Sequence, residues 1–227
     1  MKSREALGLL LENINSMEDL IKPENKWILH CYYVGKASQR IAHAINENQK
    51  MNIDEDKALT VGYMHDIGRK INHPNHTIEG YNYLTKLGHP DIARYCLTHS
   101  FVDNHIPNTI GGVHGKERYE FIKNFLEKTP VDIYDNIVQL CDLFCLETGV
   151  TTFEKRILDV TKRKGVYENS RTHFKSIMAL KERIENLMGK KVYDLFPEIS
   201  KEDLDSVEAD YNELMELFKT NDNIKRK

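Results

Sequence analysis

The sequence predicts an all-α fold, a helical bundle with an additional helical segment at its carboxyl end. Apolar residues recur at three- and four-residue spacings through nearly the whole chain. Alternation typical of a strand is nowhere longer than chance, and no internal repeat or low-complexity tract is present. A length of 227 residues suits one large domain or a domain with an appended subdomain.

The first predicted helices lead to a conspicuous His-Asp pair. A short amphipathic helix is expected over residues 5–14, and another begins near Asp54, where acidic residues suit the positive end of a helix dipole. Gly68 is a plausible stop for that helix. Between them, after Pro23, a long helix is expected whose apolar stripe includes a histidine: Trp27, His30, Val34, Ala37, Ile41 and Ile45.

The chain then breaks at Pro74 and continues as shorter helices. They are expected over residues 78–87, 91–99 and 118–128, with a loop over residues 100–115 and a long helix after Pro130. The stripe of that last helix runs beside Asp142.

The last third is helical but carries no metal-ligand cluster. Residues 200–203 resemble a capping box with Asp in place of the usual Glu. We therefore divide the chain into an N-terminal helix (1–20), a central helical domain (21–150) and a helical extension (151–227) packed on the core or forming an interface. The extension contains two apolar stripes at helical spacing: Ile177, Leu180, Ile184 and Leu187, then Leu204, Val207, Tyr211, Leu214 and Phe218.

Composition narrows the class of protein. A formal net charge of -3 gives no bias toward nucleic acid or an anionic membrane, and basic runs are confined to residues 162–164 and 225–227. No apolar run reaches the length of a membrane span, and the start lacks a signal pattern. The four cysteines show no CxxC spacing, so we expect a reducing compartment, most simply the cytoplasm.

The pair His65-Asp66 indicates a metal site only together with other residues that can bind metals. His30, His65 and Asp142 each lie on or beside an apolar stripe, where a polar group is costly unless it is paired or coordinated. Three such side chains on three helices could share one divalent ion. Taken singly, His30 could be a core histidine bonded to a carbonyl, and Asp142 could pair with Arg or Lys.

Other residues also have plain alternatives. His76 and His99 could be surface residues or helix caps, and Cys141 and Cys145 are interpreted as small core residues. A helical bundle with core histidines and no metal is the simplest alternative for the whole set.

In order along the chain, the set His30, His65-Asp66 and Asp142 resembles the HD-domain metal-dependent phosphohydrolases. MHDIGR (64–69) looks like the His-Asp-Ile-Gly variant of that motif. HTIEGYNYL (76–84) and ARYCLTH (93–99) are similar to the stretches that supply further histidines in two-metal members. The resemblance covers about residues 30–147, and it implies an HD-domain helical bundle.

The resemblance implies a ligand set as well. The first metal would be bound by His30, His65, Asp66 and Asp142, and Asp66 could bridge to a second metal held by His76 and His99. His73 and His105 are second choices. Cyclic-di-GMP phosphodiesterases of this superfamily carry two adjacent histidines where this chain has His99-Ser100, and a Gly-Tyr-Pro signature absent here. Cyclic-di-GMP is therefore disfavoured.

The predicted activity is cleavage of a phosphoester or phosphoanhydride by metal-activated water. One or two divalent ions (Fe, Mn, Ni, Co, Zn or Mg) would serve as cofactor, with a nucleotide or another small phosphorylated metabolite as substrate. We expect His65 and Asp66 to take part in catalysis, and Arg69 and Lys70 to contact phosphate. The loop 111–118 is a second candidate, since its glycines permit close approach to an anion and Lys116 and Arg118 supply charge.

Two alternatives remain open. A di-iron HD protein could be an oxygenase that cleaves a small polyol or phosphonate. Alternatively, the domain could be a metal-bound sensor or scaffold without enzymatic activity, acting through its helical tail on a partner or as a homodimer.

Overall fold

A computed structural model of the protein describes residues 1–109, 113 and 115–224. Within these residues, twelve α-helices and one two-stranded antiparallel hairpin form the architecture, which confirms the all-α prediction. The helices are α1 (Ser3–Leu10), α2 (Met17–Leu20), α3 (Lys26–Gln49), α4 (Glu55–Met64), α5 (His76–Lys86), α6 (Pro90–Thr98), α7 (Lys116–Lys128), α8 (Ile133–Asp142), α9 (Phe153–Lys164), α10 (Ser170–Met188), α11 (Val192–Leu195) and α12 (Lys201–Ile224).

The remaining regular segments are short. The hairpin pairs β1 (Cys145–Leu146) with β2 (Gly149–Val150). Strands of two residues are too short to produce an alternating pattern, which is why the sequence did not predict them. Single 3-10 turns link several helices: Pro23–Asn25, Ile67–Lys70, His73–Asn75, Val102–Asn104 and Ile106–Asn108.

Two glycines let α3 and α4 cross at close range. A β-carbon built on Gly62 would lie 2.4 Å from the α-carbon of Gly35, a distance that real β-carbons do not reach. Any larger residue at this crossing would push the helices apart. The crossing sets the amino-terminal half of α3, which carries His30, beside the end of α4, which His65 follows.

A third glycine places the turn after the His-Asp pair against α5. The prediction that Gly68 stops α4 was wrong, because α4 ends at Met64 and Gly68 lies within the following 3-10 turn. A β-carbon on Gly68 would lie 2.0 Å from the carbonyl oxygen of His76 and 2.4 Å from the amide nitrogen of Gly80. Glycine is required here because two backbone segments touch, and this contact positions the first residue of α5.

One apolar core connects both ends of the chain. Ala6 and Leu10 of α1 are buried in it. The carboxyl-terminal extension packs on this core through Ile177, Leu180, Ile184, Leu214 and Phe218. A smaller cluster lies under α7: Leu97, Phe101, Ile122 and Leu126. The division into residues 1–20, 21–150 and 151–227 stays a prediction.

Some local expectations need correction. The first helix ends at Leu10, earlier than residue 14. The capping box at the start of α12 is half formed: the Ser200 hydroxyl accepts a hydrogen bond from the Asp203 amide at 3.1 Å. The Asp203 carboxylate turns away, to the Thr151 hydroxyl at 2.6 Å and the Lys155 ammonium at 2.5 Å. None of the described helices combines the length and apolarity needed to cross a bilayer.

Candidate metal centre

The six side chains predicted as metal ligands lie in one cluster. They come from five places in the fold: α3, the end of α4, the start of α5, the end of α6 and the end of α8. Within each of three overlapping groups, all ligand atoms lie within 4.8 Å of one another. The groups are His30, His65 and Asp66; His65, His99 and Asp142; and Asp66, His76 and His99.

One end of the cluster, which we call the His30 end, comprises His30, His65 and Asp142. The Nδ1 of His65 donates to the carbonyl oxygen of Gly62 at 2.7 Å, and the Nδ1 of His30 lies 3.2 Å from the carbonyl oxygen of Cys145. Because a carbonyl only accepts, both Nδ1 atoms carry a proton, and the Nε2 of His65, which has no hydrogen-bond partner in the described structure, presents a lone pair. The Nε2 of His30 then faces the Asp142 carboxylate at 2.9 Å, a contact that a cation or an extra proton must bridge.

The other end, which we call the His76 end, comprises His76 and His99. The Oδ1 of Asp66 lies 3.2 Å from the Nε2 of His76 and 3.5 Å from the Nε2 of His99. His99 holds its Nδ1 proton toward the carbonyl oxygen of Tyr95 at 3.2 Å. Its Nε2 therefore accepts a hydrogen bond from the Ser100 hydroxyl at 3.0 Å.

Two buried atoms in the cluster lack hydrogen-bond partners within the described structure. They are the Nε2 of His65 and the Oδ1 of Asp66. Leaving a buried polar atom unpaired costs about 1–3 kcal/mol, and more for a charged group. Both atoms are electron-pair donors, so a cation satisfies them and another acceptor does not. The side chains therefore fit a bound divalent metal.

Burial and charge set the protonation state that a metal needs. Burial lowers the pKa of His65, and it lowers the pKa of His99 to about 4, so both imidazoles are neutral at pH 7. Burial opposes ionisation of Asp66, yet the nearby His65 and Arg69 hold the pKa of its carboxyl well below its usual value. Neutral imidazole and ionised carboxylate are the forms that bind metals.

The carboxylate of Asp142 completes this charge pattern. Burial opposes its ionisation, but its hydrogen bond and charge interaction with His30 lower the pKa of the carboxyl below its usual value. Its side chain is 26% exposed, whereas those of His65 and Asp66 are almost fully buried. Asp142 is thus the ligand candidate at the His30 end that reaches toward solvent.

The family comparison agrees with this geometry. Residues 27–146, just over half of the chain, match the family model of the HD domain. The chain belongs to the HD domain family. All six clustered side chains fall inside the matched residues, and members of this family are generally metal-dependent phosphohydrolases. No curated protein and no solved structure gives a match.

The two cations predicted to contact phosphate already have partners. The Nε of Arg69 donates to the Oδ2 of Asp66. The ammonium of Lys70 pairs with Glu12 and lies 5.9 Å from the ring centre of Tyr83. Arg69 therefore lies at the cluster, while Lys70 would have to leave Glu12 to reach a substrate.

The secondary candidates have different outcomes. Gly111, Gly112 and His114 lie outside the described residues, as does the side chain of His73. His105 is exposed and joins none of the three ligand groups. Lys116 is exposed, whereas Arg118 donates from Nη1 to the Oδ1 of Asn75 at 3.0 Å.

Sequence reasoning did not identify the groups that orient the histidines. These are the carbonyls of Gly62, Tyr95 and Cys145, and the hydroxyl of Ser100. The carbonyls of Gly62 and Tyr95 precede their histidines by three and four positions, a helical spacing that could have indicated them. Cys141 and Cys145 are buried free thiols, as their interpretation as core residues expected.

Proposed function

We propose that the protein is a metal-dependent phosphohydrolase that cleaves a phosphoester or phosphoanhydride of a nucleotide or another small phosphorylated metabolite. The observation that carries the proposal is the pair of unpartnered electron donors, the Nε2 of His65 and the Oδ1 of Asp66, inside a buried cluster of imidazoles and carboxylates. Membership of the HD domain family supports the same reaction class.

In this proposal the two ends of the cluster hold separate ions. The first would be held by His30, His65, Asp66 and Asp142, and the second by Asp66, His76 and His99. A bound metal would act as a Lewis acid and would lower the pKa of a coordinated water toward neutrality. Asp66 suits a bridging role because its Oδ1 faces His76 and His99, while its Oδ2 lies 3.7 Å from the Nε2 of His65.

The residues around Asp66 would hold it and the substrate in place. Arg69 donates to the Oδ2 of Asp66, which fixes the carboxylate and keeps a permanent positive charge beside the cluster. That charge would favour an approaching phosphate. The partly exposed Asp142 carboxylate would orient the attacking water.

Metal analysis followed by a substrate panel tests the proposal. The purified 227-residue chain is loaded in turn with Fe, Mn, Co, Ni, Zn and Mg, and phosphate release is measured on nucleotides and phosphodiesters. We expect metal binding and turnover of at least one phosphorylated compound, both lost in Asp66→Asn. Absence of bound metal and of turnover with every ion would reject the proposal.

Oxygen consumption separates the hydrolase from the di-iron oxygenase alternative. The iron-loaded protein is assayed for oxygen uptake with the same panel and with small polyols and phosphonates. A hydrolase releases product at an unchanged rate under anaerobic conditions. Product formation that requires oxygen would assign the oxygenase reaction instead.

A further inference from the structure

Arg118 is a cation that is hydrogen-bonded to the residue preceding His76, next to the His76 end of the cluster. It lies in the first turn of α7, and its Nη1 donates to the Oδ1 of Asn75 at 3.0 Å. Asn75 immediately precedes His76, so their α-carbons are about 3.8 Å apart. One turn further along α7, Ile122 is buried in the same small apolar cluster as Leu97 of α6, which packs the helix over this region.

The guanidinium of Arg118 lacks an anionic partner in the described part of the chain. Its Nε is buried and has no hydrogen-bond acceptor there, and no carboxylate lies within ion-pair distance. The guanidinium of arginine is a permanent cation in proteins, so Arg118 presents a fixed positive charge here. By contrast, Arg69 binds Asp66 and Lys70 binds Glu12.

The hydrogen bond to Asn75 and the burial of Nε together determine which donor of the guanidinium remains. With Nη1 engaged and Nε buried, Nη2 is left to donate to an oxygen of a phosphate or carboxylate, and the positive charge strengthens that hydrogen bond. Arg118 contacts the residue that flanks a ligand candidate, not the ligand atoms themselves. It therefore suits a group of the substrate that lies beyond the reacting phosphate.

We propose that Arg118 binds a second anionic group of the substrate, and that the enzyme acts on small molecules with two anionic groups, such as nucleoside diphosphates or bisphosphates. This inference rests on the proposed function for the position of the reacting phosphate. A plainer role for Arg118 is to tether α7 to Asn75, and the test must separate the two.

Calorimetric titration with two matched probes makes that separation. Methylenebisphosphonate carries two anionic groups, resists hydrolysis and is compared with methylphosphonate, which carries one. Both are titrated into the 227-residue chain, once loaded with manganese and freed of excess metal, and once metal-free. The variants are Arg118→Met, Arg118→Lys and, as a matched loss of charge at an exposed position of the same helix, Lys123→Met.

We expect Arg118→Met to weaken methylenebisphosphonate binding by about tenfold or more, the value of a charge-assisted hydrogen-bonded pair, and to leave methylphosphonate unchanged. Arg118→Lys should restore only part of the loss because lysine lacks the planar fork. Lys123→Met should bind both probes as the wild type does. Arg118→Gln, which can still bond to Asn75, replaces Arg118→Met if the latter does not fold.

Equal binding of methylenebisphosphonate by the wild type and Arg118→Met would overturn the inference, and so would an equal loss for both probes. The outcome is separable from that of the proposed function. Arg118-dependent binding without any turnover would reject the hydrolase and keep the anion site. Turnover of a substrate that is unaffected by Arg118→Met would keep the hydrolase and reject the anion site at Arg118.

Discussion

The His30 end and the His76 end of the cluster offer similar side chains on different supports. At the His30 end, His30 and His65 come from helices that cross in close contact, and a backbone carbonyl holds the Nδ1 of each ring. At the His76 end, the carbonyl oxygen of Tyr95 holds the Nδ1 of His99 in the same way, but His76 begins a helix after a turn and is 18% exposed, and Ser100 donates to the Nε2 of His99. A hydrogen bond that fixes the other ring nitrogen of a metal-binding histidine raises its affinity for the metal. We infer tighter metal binding at the His30 end.

Asp66 connects the two ends, so its loss should have the largest effect. In Asp66→Asn, both metals should be lost, and turnover should fall by about a thousandfold, since metal catalysis contributes on the order of 4 kcal/mol. Metal content and rate are measured together. Asp91→Asn, an exposed residue of α6, is the control and should match the wild type. Full metal content in Asp66→Asn would show that Asp66 does not connect the two metal sites.

Gly68→Ala should damage the His76 end selectively. The new β-carbon would meet the backbone of His76 and Gly80, so stability should fall by about 3 kcal/mol and α5 should shift. Metal content should drop at the second site before the first. Denaturant unfolding and metal titration measure the two effects.

A matched glycine gives the control. A β-carbon on Gly8, in the helix α1, meets nothing within 4 Å, so Gly8→Ala should be neutral or stabilising by about 0.5–1 kcal/mol. Equal tolerance of alanine at both positions would contradict the close approach at Gly68.

Acid should destabilise the metal-free protein through its buried imidazoles. The pKa of His99 is about 4 in the folded chain, below its ordinary 6.5, so the unfolded chain takes up the proton first. Stability should therefore fall as pH drops from 6.5 toward 4, by on the order of 3 kcal/mol from this group. Asp135 works in the opposite sense, since burial raises its pKa to about 6.

Comparison with His99→Gln isolates the histidine from Asp135. Urea unfolding in a chelator, at about pH 7 and about pH 4.5, should show a smaller loss of stability in the variant. An identical loss in the two proteins would show that His99 is protonated as easily in the folded chain as in the unfolded one.

Ser100→Ala should give the smallest effect and sharpen the comparison. Removing the hydroxyl frees the Nε2 of His99 from a hydrogen bond worth about 1 kcal/mol, so metal affinity at the His76 end should rise about fivefold. Affinity at the His30 end, measured in the same titration, serves as the internal control. Weaker binding at the His76 end would mean that Ser100 supports the metal instead of competing with it.

The sequence predicted the cluster where ligands share an apolar stripe. His30, His65 and Asp142 lie on or beside such stripes, and stripes must meet in the core, so their convergence follows from periodicity. His76 has no such signal. His99 follows Ile92 and Cys96 at helical spacing, but its role as a ligand, like that of His76, entered through the resemblance to HD-domain proteins. Their metal-binding roles, like those of the other four, stay predictions.

Contacts between segments could not be predicted in the same way. The crossing at Gly35 and Gly62 and the approach of Gly68 to α5 depend on how helices meet, which the spacing of apolar residues does not specify. The contact between Arg118 and Asn75 spans forty-three positions and has no local pattern. Gly68 is the clearest example of a contact that the sequence does not reveal. A glycine after a helix resembles a helix stop, but here it allows the turn to pack against the backbone of α5.

Anomalous diffraction from a crystal of the metal-loaded protein tests the central claim most directly. We predict a peak in contact with the Nε2 of His65 and the carboxylates of Asp66 and Asp142, and a second, weaker peak beside His76 and His99. A peak elsewhere in the molecule, with these side chains bound to no ion, would contradict the account.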